Sequence, residues 1–177
     1  MQALRHHRPA MATVLDLEQK EQLPEVLSWA EEAAQYIEMV VIIPKVFGII
    51  PSIPEQIGGA QVILGYSVPT RYGGTEVPLW EFSGWPVHLL GGSPKKQKIL
   101  AKYLHVVSVD GNYANLKATK FCMWFDGVKW SQLMRGDEIW GKDAPYEAFQ
   151  RSCQGIMQMW SPANNSLHRS AADARKN

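Results

Sequence analysis

An α/β fold with a mostly parallel sheet is what this sequence predicts, on three observations. Short β-rich runs recur at residues 12–15, 39–43, 61–64, 87–90 and 105–109. The connections between them are helical or long, as parallel neighbours require. Two of the runs pass straight into glycine-rich polar loops, Gly91-Gly92-Ser93-Pro94 and Asp110-Gly111-Asn112, each opening a helix. Parallel β/α units expose their strand carboxyl ends on one face, so function is expected at those loops.

Taken in order, residues 12–15 form a short β-prone run closed by Asp16. Pro24 then opens a helix whose Val26, Leu27, Ala30, Ala33, Ala34 and Ile37 recur at three- and four-residue spacing, the mark of an amphipathic face. Residues 39–43 are apolar without interruption and stop at Pro44-Lys45, as a strand buried on both faces does. A loop over 46–54 and a short helix around Glu55-Gln56, stopped by Gly58-Gly59, lead to the run 61–64, which delivers Gly65-Tyr66-Ser67.

The segment 68–86 is longer than most connections and rich in Gly, Pro and aromatics, so Arg71, Tyr72 and Gly73-Gly74 make it a candidate lid. Ser93-Pro94 caps a basic helix over 95–103, with proline in the first turn, where its missing N–H costs nothing. The resulting order is β-α-β-α-β-loop-β-α-β: about five mostly parallel strands with crossover helices. Beyond Asn112 come Trp- and Met-bearing segments, a turn at Asp126-Gly127 and a helix over 146–160. Trp124, Trp130, Trp140 and Trp160 read as packing anchors. One β/α domain over 1–160 and a disordered polar tail over 161–177 are expected.

Composition narrows the function. With 177 residues, 46% of them hydrophobic, the chain is long enough for one real core. A net charge of +1 leaves no global nucleic-acid footprint. No apolar run approaches the roughly 20 residues of a membrane span. The start carries positive charge, but Thr13, Asp16 and Glu18 follow where a signal peptide needs an apolar stretch, so the cytoplasm is the expected compartment. Cys122 and Cys153 form neither a disulfide framework nor a metal knuckle, and both read as reduced and structural. No metal site and no cofactor is expected, since His and Cys lack ligand spacing and no full phosphate-loop motif occurs.

Asp110 stands where a buried strand emerges and fits two roles, nucleophile or general base on one hand and helix cap on the other. Asp16 holds the equivalent place on the first strand, and two carboxylates on one sheet rim suit acid/base or covalent chemistry. Gly91-Gly92-Ser93 offers backbone N–H groups to an anion, or simply turns a corner. His88 lies inside an apolar strand and reads as a satisfied core histidine. Lys95, Lys96, Lys98 and Lys102 form a cationic stripe that meets either phosphates or solvent.

At these residues a resemblance emerges. The stretch from Ile63-Leu64-Gly65-Tyr66-Ser67 to Asn112, with Gly73-Gly74-Thr75 and His88-Leu89-Leu90-Gly91-Gly92-Ser93-Pro94, resembles an uncharacterised family of phage and bacterial proteins with LGYSVPTRYGGT and RPVHLLGGxP signatures. It covers roughly residues 8 to 160 and brings no function. It implies further sequence before Met1, and the cytoplasm of a bacterial or phage-infected cell.

A more distant resemblance brings chemistry. In order, residues 12–16, 40–44, 65–67, 87–91 and 107–110 are similar to the later strands of the tRNA-guanine transglycosylase barrel. That resemblance implies a partial or truncated TIM-like (β/α) barrel. It also implies base exchange through a covalent glycosyl-enzyme aspartate, with Asp110 matching the nucleophile and Asp16 the base-reading aspartate. Gly65, Tyr66, Ser67, Gly91, Gly92, Ser93, Asn112, Arg71 and Lys45 would then bind substrate, and no metal is implied.

This chain departs from that family in three ways: the zinc-binding cysteines and histidine are absent, Pro44-Lys45 replaces the glutamine-glycine turn, and the proximal strands are missing. A five-strand piece of a barrel exposes an apolar edge, so a fragment, a homodimer or complementing chain, or an open sheet is expected. The function expected is guanine-transglycosylase-like or related glycosidic-bond chemistry on nucleic acid or a nucleoside. A non-catalytic phage-associated nucleotide- or protein-binding module, or an inactive fragment, is the alternative.

Overall fold

The computed structural model describes residues 1–71, 73–134 and 143–161. They group into two compact units where the sequence reads as one domain: Met1–Gly92 with Ile99–Asp110, and Ser93–Lys98 with the residues from Gly111 onward. Tyr72, Trp140 and, beyond Ser161, the expected tail lie outside the described residues.

The first unit opens with a short helix α1 (Gln2–His7) and is built on a sheet of β1 (Met11–Leu17), β2 (Met39–Pro44), β4 (Ala60–Ser67), β5 (Pro86–Leu90) and β6 (His105–Val109), with the two-residue β3 (Gln56–Ile57) paired to β4. The five main strands follow one another in the order β1-β2-β4-β5-β6, and every neighbouring pair is parallel. Helix α2 (Leu23–Ala34) makes the first crossover: Gln22 Oε1 accepts the N–H groups of Glu18 and Gln19, Pro24 sits in the first turn, and Val26, Ala30 and Ala33 are buried. Helix α3 (Pro94–Leu100) precedes β6.

Between β2 and β4 the structure differs from the sequence expectation. No helix forms around Glu55-Gln56. A single 3₁₀ turn, Ile50–Ser52, is followed by β3, which pairs antiparallel with β4. Gly58 and Gly59 have φ of +56° and +87°, so they are the two left-handed centres of a two-residue hairpin rather than a helix stop. Ile49, Ile50 and Ile53 fill the place a crossover helix would take in the core.

The sheet is not closed, since no backbone ladder joins β1 to β6. It is strongly curled. Laid flat, five strands at about 4.8 Å spacing put the first and last roughly 19 Å apart. Yet Ser108 Oγ of β6 lies 3.6 Å from Met11 Sδ of β1 across the concave face. Alternate residues of each strand therefore meet two environments. On the convex side Val40, Ile42, Val62, Leu64, Tyr66, Val87 and Leu89 pack with α2 into the main core. On the concave side Val41, Ile43 and Ile63 form a smaller cluster with Met11, Met39 and Leu90.

The segment 68–85 is a packed strap rather than a free lid. Val68, Thr75, Val77 and Phe82 are buried. Val68 N–H donates to Leu90 O, Thr75 N–H to Ser67 O, and Thr75 Oγ1 to Pro44 O. Its exposed residues include Thr70, Arg71 and Gly73 at the Thr70–Gly73 bridge, and Glu76 and Trp80 further on.

The second unit contains α4 (Tyr113–Phe121), the hairpin β7 (Met123–Phe125) and β8 (Trp130–Gln132), and α5 (Ala144–Trp160). Asp126 turns the hairpin as its sequence predicts, its carboxylate accepting the N–H groups of Val128 and Lys129, which hold it below the usual aspartate range. Gly155 is where α5 meets this turn: a Cβ there would fall against Phe125 O and Gly127 N. Trp130 packs on Phe125 and Tyr113, and Trp124 lies under Arg151, so these two tryptophans are anchors as expected.

Candidate functional site

The carboxyl ends of β1, β2, β4, β5 and β6 carry Asp16, Lys45, Ser67, Gly91 and Asp110, all in the first unit. Parallel strands place these residues at one end of the sheet.

Asp110 is fixed by its neighbours on β5. Its backbone N–H continues the ladder to Leu89 O at 2.9 Å. Its Oδ1 accepts the Gly91 N–H at 2.9 Å, and its Oδ2 lies 3.4 Å from His88 Nε2. Gly91 turns its N–H inward because its φ is +71°, a left-handed conformation that glycine takes without steric cost. The Gly91 amide expected to cradle a phosphate is thus committed to the Asp110 carboxylate.

Below Asp110 the polar contacts run on into the sheet. His88 Nδ1 is 2.7 Å from Ser108 Oγ, and Ser108 reaches Met11. A neutral ring with its proton on Nε2 donates to Asp110 and accepts the Ser108 hydroxyl proton on Nδ1; an imidazolium donates to both, and the hydroxyl proton turns to Met11 Sδ. The histidine side chain is only 6% exposed, the aspartate side chain 55%. Asp110 is therefore presented to solvent, and His88 holds it from below.

Asp16 precedes Leu17, a fully buried residue of the convex core, so strand alternation turns Asp16 to the concave side, as its register with Ile43 also requires. A bulge between Thr13 and Asp16 adjusts the strand just before it. Its Oδ2 pairs with Lys45 Nζ at 3.1 Å, and Lys45 N–H donates to Leu17 O, fixing the base of that side chain.

The remaining predicted residues divide. Gly65 is on the concave face, but a Cβ there would lie 2.6 Å from Ile43 and 2.8 Å from Leu90, so its missing side chain makes room for those two rather than for a ligand. Tyr66 turns to the convex core, 5% exposed and edge-on to Phe82, and burial raises its phenol above the usual tyrosine range. Gly92 packs against Val68. Arg71 stands at the exposed tip of the strap.

Ser93 and Asn112 belong to the second unit. Ser93 caps α3 through Lys96 N–H at 3.3 Å, and Asn112 is the cap residue of α4. The expected lysine stripe is broken. Lys98 lies over the Trp160 ring and donates to Met159 O, and burial lowers its pKa; Lys102 falls beyond the end of α3.

Sequence reasoning missed the bridging role of His88 and did not single out Ser108. Part of the signal is in the sequence, where His88, Ser108 and Asp110 are the polar residues of two otherwise apolar strand ends; the pairing of His88 with Ser108 comes from the strand register. Among the described residues, no group of three or more His, Cys, Asp and Glu could hold a metal ion, and no helix is long and apolar enough to cross a membrane.

Fold and site together define an α/β protein with an open parallel sheet that presents an anchored carboxylate at its carboxyl end. The chain belongs to a family of unknown function, DUF6610, whose pattern matches residues 1–161. No curated protein and no solved structure matches it, and the tRNA-guanine transglycosylases are therefore not among the matches.

Proposed function

We propose that this protein is an enzyme that breaks and re-forms a glycosidic bond to a nucleobase, with Asp110 as the attacking carboxylate. The observation that carries the reading is the state of that carboxylate: half exposed at a strand end, yet held at one oxygen by Gly91 N–H and at the other by the buried His88. A nucleophile needs both access and fixed aim. The consecutive strand order and the Met11–Ser108 contact across the concave face are also what a segment of a β/α barrel would have, in support of the resemblance that suggested the substrate.

In the proposed step an Asp110 oxygen bonds to C1′ as the bond from C1′ to the base nitrogen breaks, and the departing base keeps the electron pair and takes a proton. An incoming base then attacks C1′ with its nitrogen, loses a proton and releases the carboxylate, so the exchange balances without water. Asp16, neutralised by Lys45 and on the same face and end, accepts hydrogen bonds from the base edge.

The test is incubation with a guanine-containing oligonucleotide and labelled guanine or deazaguanine, followed by intact mass. A covalent adduct or label exchange is expected from the wild type. In Asp110→Ala it should fall by about a thousandfold or more, the order set by losing a covalent catalyst. A folded wild-type protein giving neither adduct nor exchange sinks the reading. A non-catalytic nucleotide-binding module is the second reading. It draws on the exposed Arg71 tip and requires binding that survives Asp110→Asn.

A further inference from the structure

We propose that Met11 is an oxidation site that controls the Asp110 carboxylate: conversion of its thioether to the sulfoxide by a peroxide turns the Ser108 hydroxyl away from His88 and makes His88 a donor at both ring nitrogens. The inference deepens the proposed base chemistry as regulation of the same carboxylate and rests on it only for the reaction that is lost; the change at Met11 and His88 is measured apart from any reaction.

Four side chains form one polar line from the first residue of β1 to the end of β6. Met11 Sδ is 3.6 Å from Ser108 Oγ, Ser108 Oγ is 2.7 Å from His88 Nδ1, and His88 Nε2 is 3.4 Å from Asp110 Oδ2. Met11 is partly exposed and begins an edge strand with a ladder partner only in β2, the situation in which a small oxidant reaches a methionine.

A thioether is a weak acceptor, so in the reduced protein the Ser108 proton goes to His88 Nδ1, and the neutral ring donates from Nε2 to Asp110. Oxidation reverses that preference. The peroxide O–O bond breaks, one oxygen bonds to sulfur, water leaves, and the sulfur gives up two electrons. An S–O bond of about 1.5 Å, tilted roughly 40° from the Met11–Ser108 line, sets the new oxygen about 2.7 Å from Ser108 Oγ, the usual O–H···O distance. Ser108 then donates to the sulfoxide, and His88 Nδ1 faces the hydroxyl oxygen instead of its proton. The Asp110 carboxylate repels a bare Nε2 lone pair, so the ring keeps that proton and takes a second by way of the half-exposed Asp110. An imidazolium now lies against the carboxylate, whose charge is offset and less available to an electrophile.

Asp110 is the charged group in contact with the His88 ring among the described residues. Gly65, the register partner of His88 on β4, brings no charge, and Asp16 and Lys45 on the same face are paired with each other. With its side chain only 6% exposed, His88 depends on Ser108 rather than bulk water for its lower partner.

The experiment is hydrogen peroxide treatment of the whole chain with peptide mapping of Met11, and two-bond proton–nitrogen NMR of the His88 ring at mildly alkaline pH. In the wild type Met11 should gain one oxygen, and His88 Nδ1 should change from unprotonated to protonated. Met11→Gln, whose amide oxygen stands in for the sulfoxide, should show the protonated Nδ1 without oxidant, which reads the coupling even where the oxidised protein loses its fold. Met11→Leu should keep Nδ1 unprotonated through the same treatment, a control for the more exposed Met134 and Met157 and for Met39, the register partner of Met11 on β2. Base exchange should fall about tenfold or more in the oxidised wild type and recover on reduction by a methionine sulfoxide reductase.

A Met11 that stays a thioether while Met134 and Met157 oxidise overturns the site. Sulfoxide at Met11 with an unchanged His88 ring, or base exchange undiminished after oxidation, overturns the control. A wild type that shows the ring change but has no base exchange before oxidation removes the proposed reaction and leaves the modification site standing.

Discussion

The two faces of the one curled sheet are built from the same strands and differ in every layer. On the convex face the alternate residues of β2, β4 and β5 are apolar throughout and meet α2 and the strap. On the concave face only the centre is apolar, Val41, Ile43 and Ile63 with their neighbours, while the margins hold Met11, Ser108, His88, Asp110 and the Asp16–Lys45 pair. A period of two thus encodes two jobs in one stretch of sequence: one set of residues fixes the fold, and the other leaves charge at the strand ends. The difference teaches that most of the buried apolar surface lies on the convex face, so mutations on the two faces should separate stability from the proposed activity.

The largest separation is expected at Leu89 on the convex side. It is fully buried beside Val87, and Leu89→Ala should cost about 2–5 kcal/mol in urea denaturation, the range for buried leucine truncations. A cost near that of a surface change would break the comparison, since the convex face would then not be the core. Gly65→Ala probes the concave centre from the other direction. Its added methyl would meet Ile43 and Leu90 well inside contact distance, and overpacking of that kind costs about 1–3 kcal/mol. If Gly65→Ala instead leaves stability untouched while abolishing nucleobase binding, the space at Gly65 serves a ligand after all.

How far the sequence disclosed this arrangement follows from which properties are local. All five parallel strands were legible because an apolar run of strand length is a local signal, and Met39–Pro44 is buried at every position but its first. The crossover between β2 and β4 was misread. Glu55-Gln56 suits a helix by propensity, but the Gly58-Gly59 pair closes a hairpin that places Gln56 opposite Gln61, a pairing visible only once β4 is known.

At the site, Asp110 and Gly91 were both legible as strand-end residues, and they bond to each other. Tyr66 was not, because its role depends on strand parity: one position from Gly65, it turns to the convex core. The His88–Ser108 link was hidden for a different reason. The register of β5 against β6 shifts between Val87 and His88, and only that irregularity brings the two side chains together.

A smaller effect tests that link. Ser108→Ala removes the hydroxyl between His88 and Met11, and should cost about 1 kcal/mol of stability, the usual net value of one hydrogen bond. The loss of base exchange should be disproportionate, because a His88 ring without its lower partner no longer fixes Asp110. Equal losses in stability and activity would assign Ser108 to packing alone.

The smallest expected effect is confined to alkaline pH and belongs to the convex face. Burial raises the Tyr66 phenol above its ordinary 10.0, because the ionised form would leave water for an apolar core. A group whose folded value is raised adds a stability that is whole below the unfolded value and disappears as pH climbs through the folded one. Wild-type stability should therefore begin to fall near pH 10, where the unfolded chain starts to release its proton while Tyr66 in the core still holds one. Tyr66→Phe removes that release and should flatten this part of the profile, read as Tm against pH by circular dichroism. Phe82, edge-on to the same ring, keeps its aromatic partner in the variant, so packing is conserved and the titration is isolated. A profile that falls as steeply in Tyr66→Phe would mean that Tyr66 reaches solvent before the rest of the core opens, and the convex face would then be less sealed at β4 than its buried neighbours Val62 and Leu64 imply.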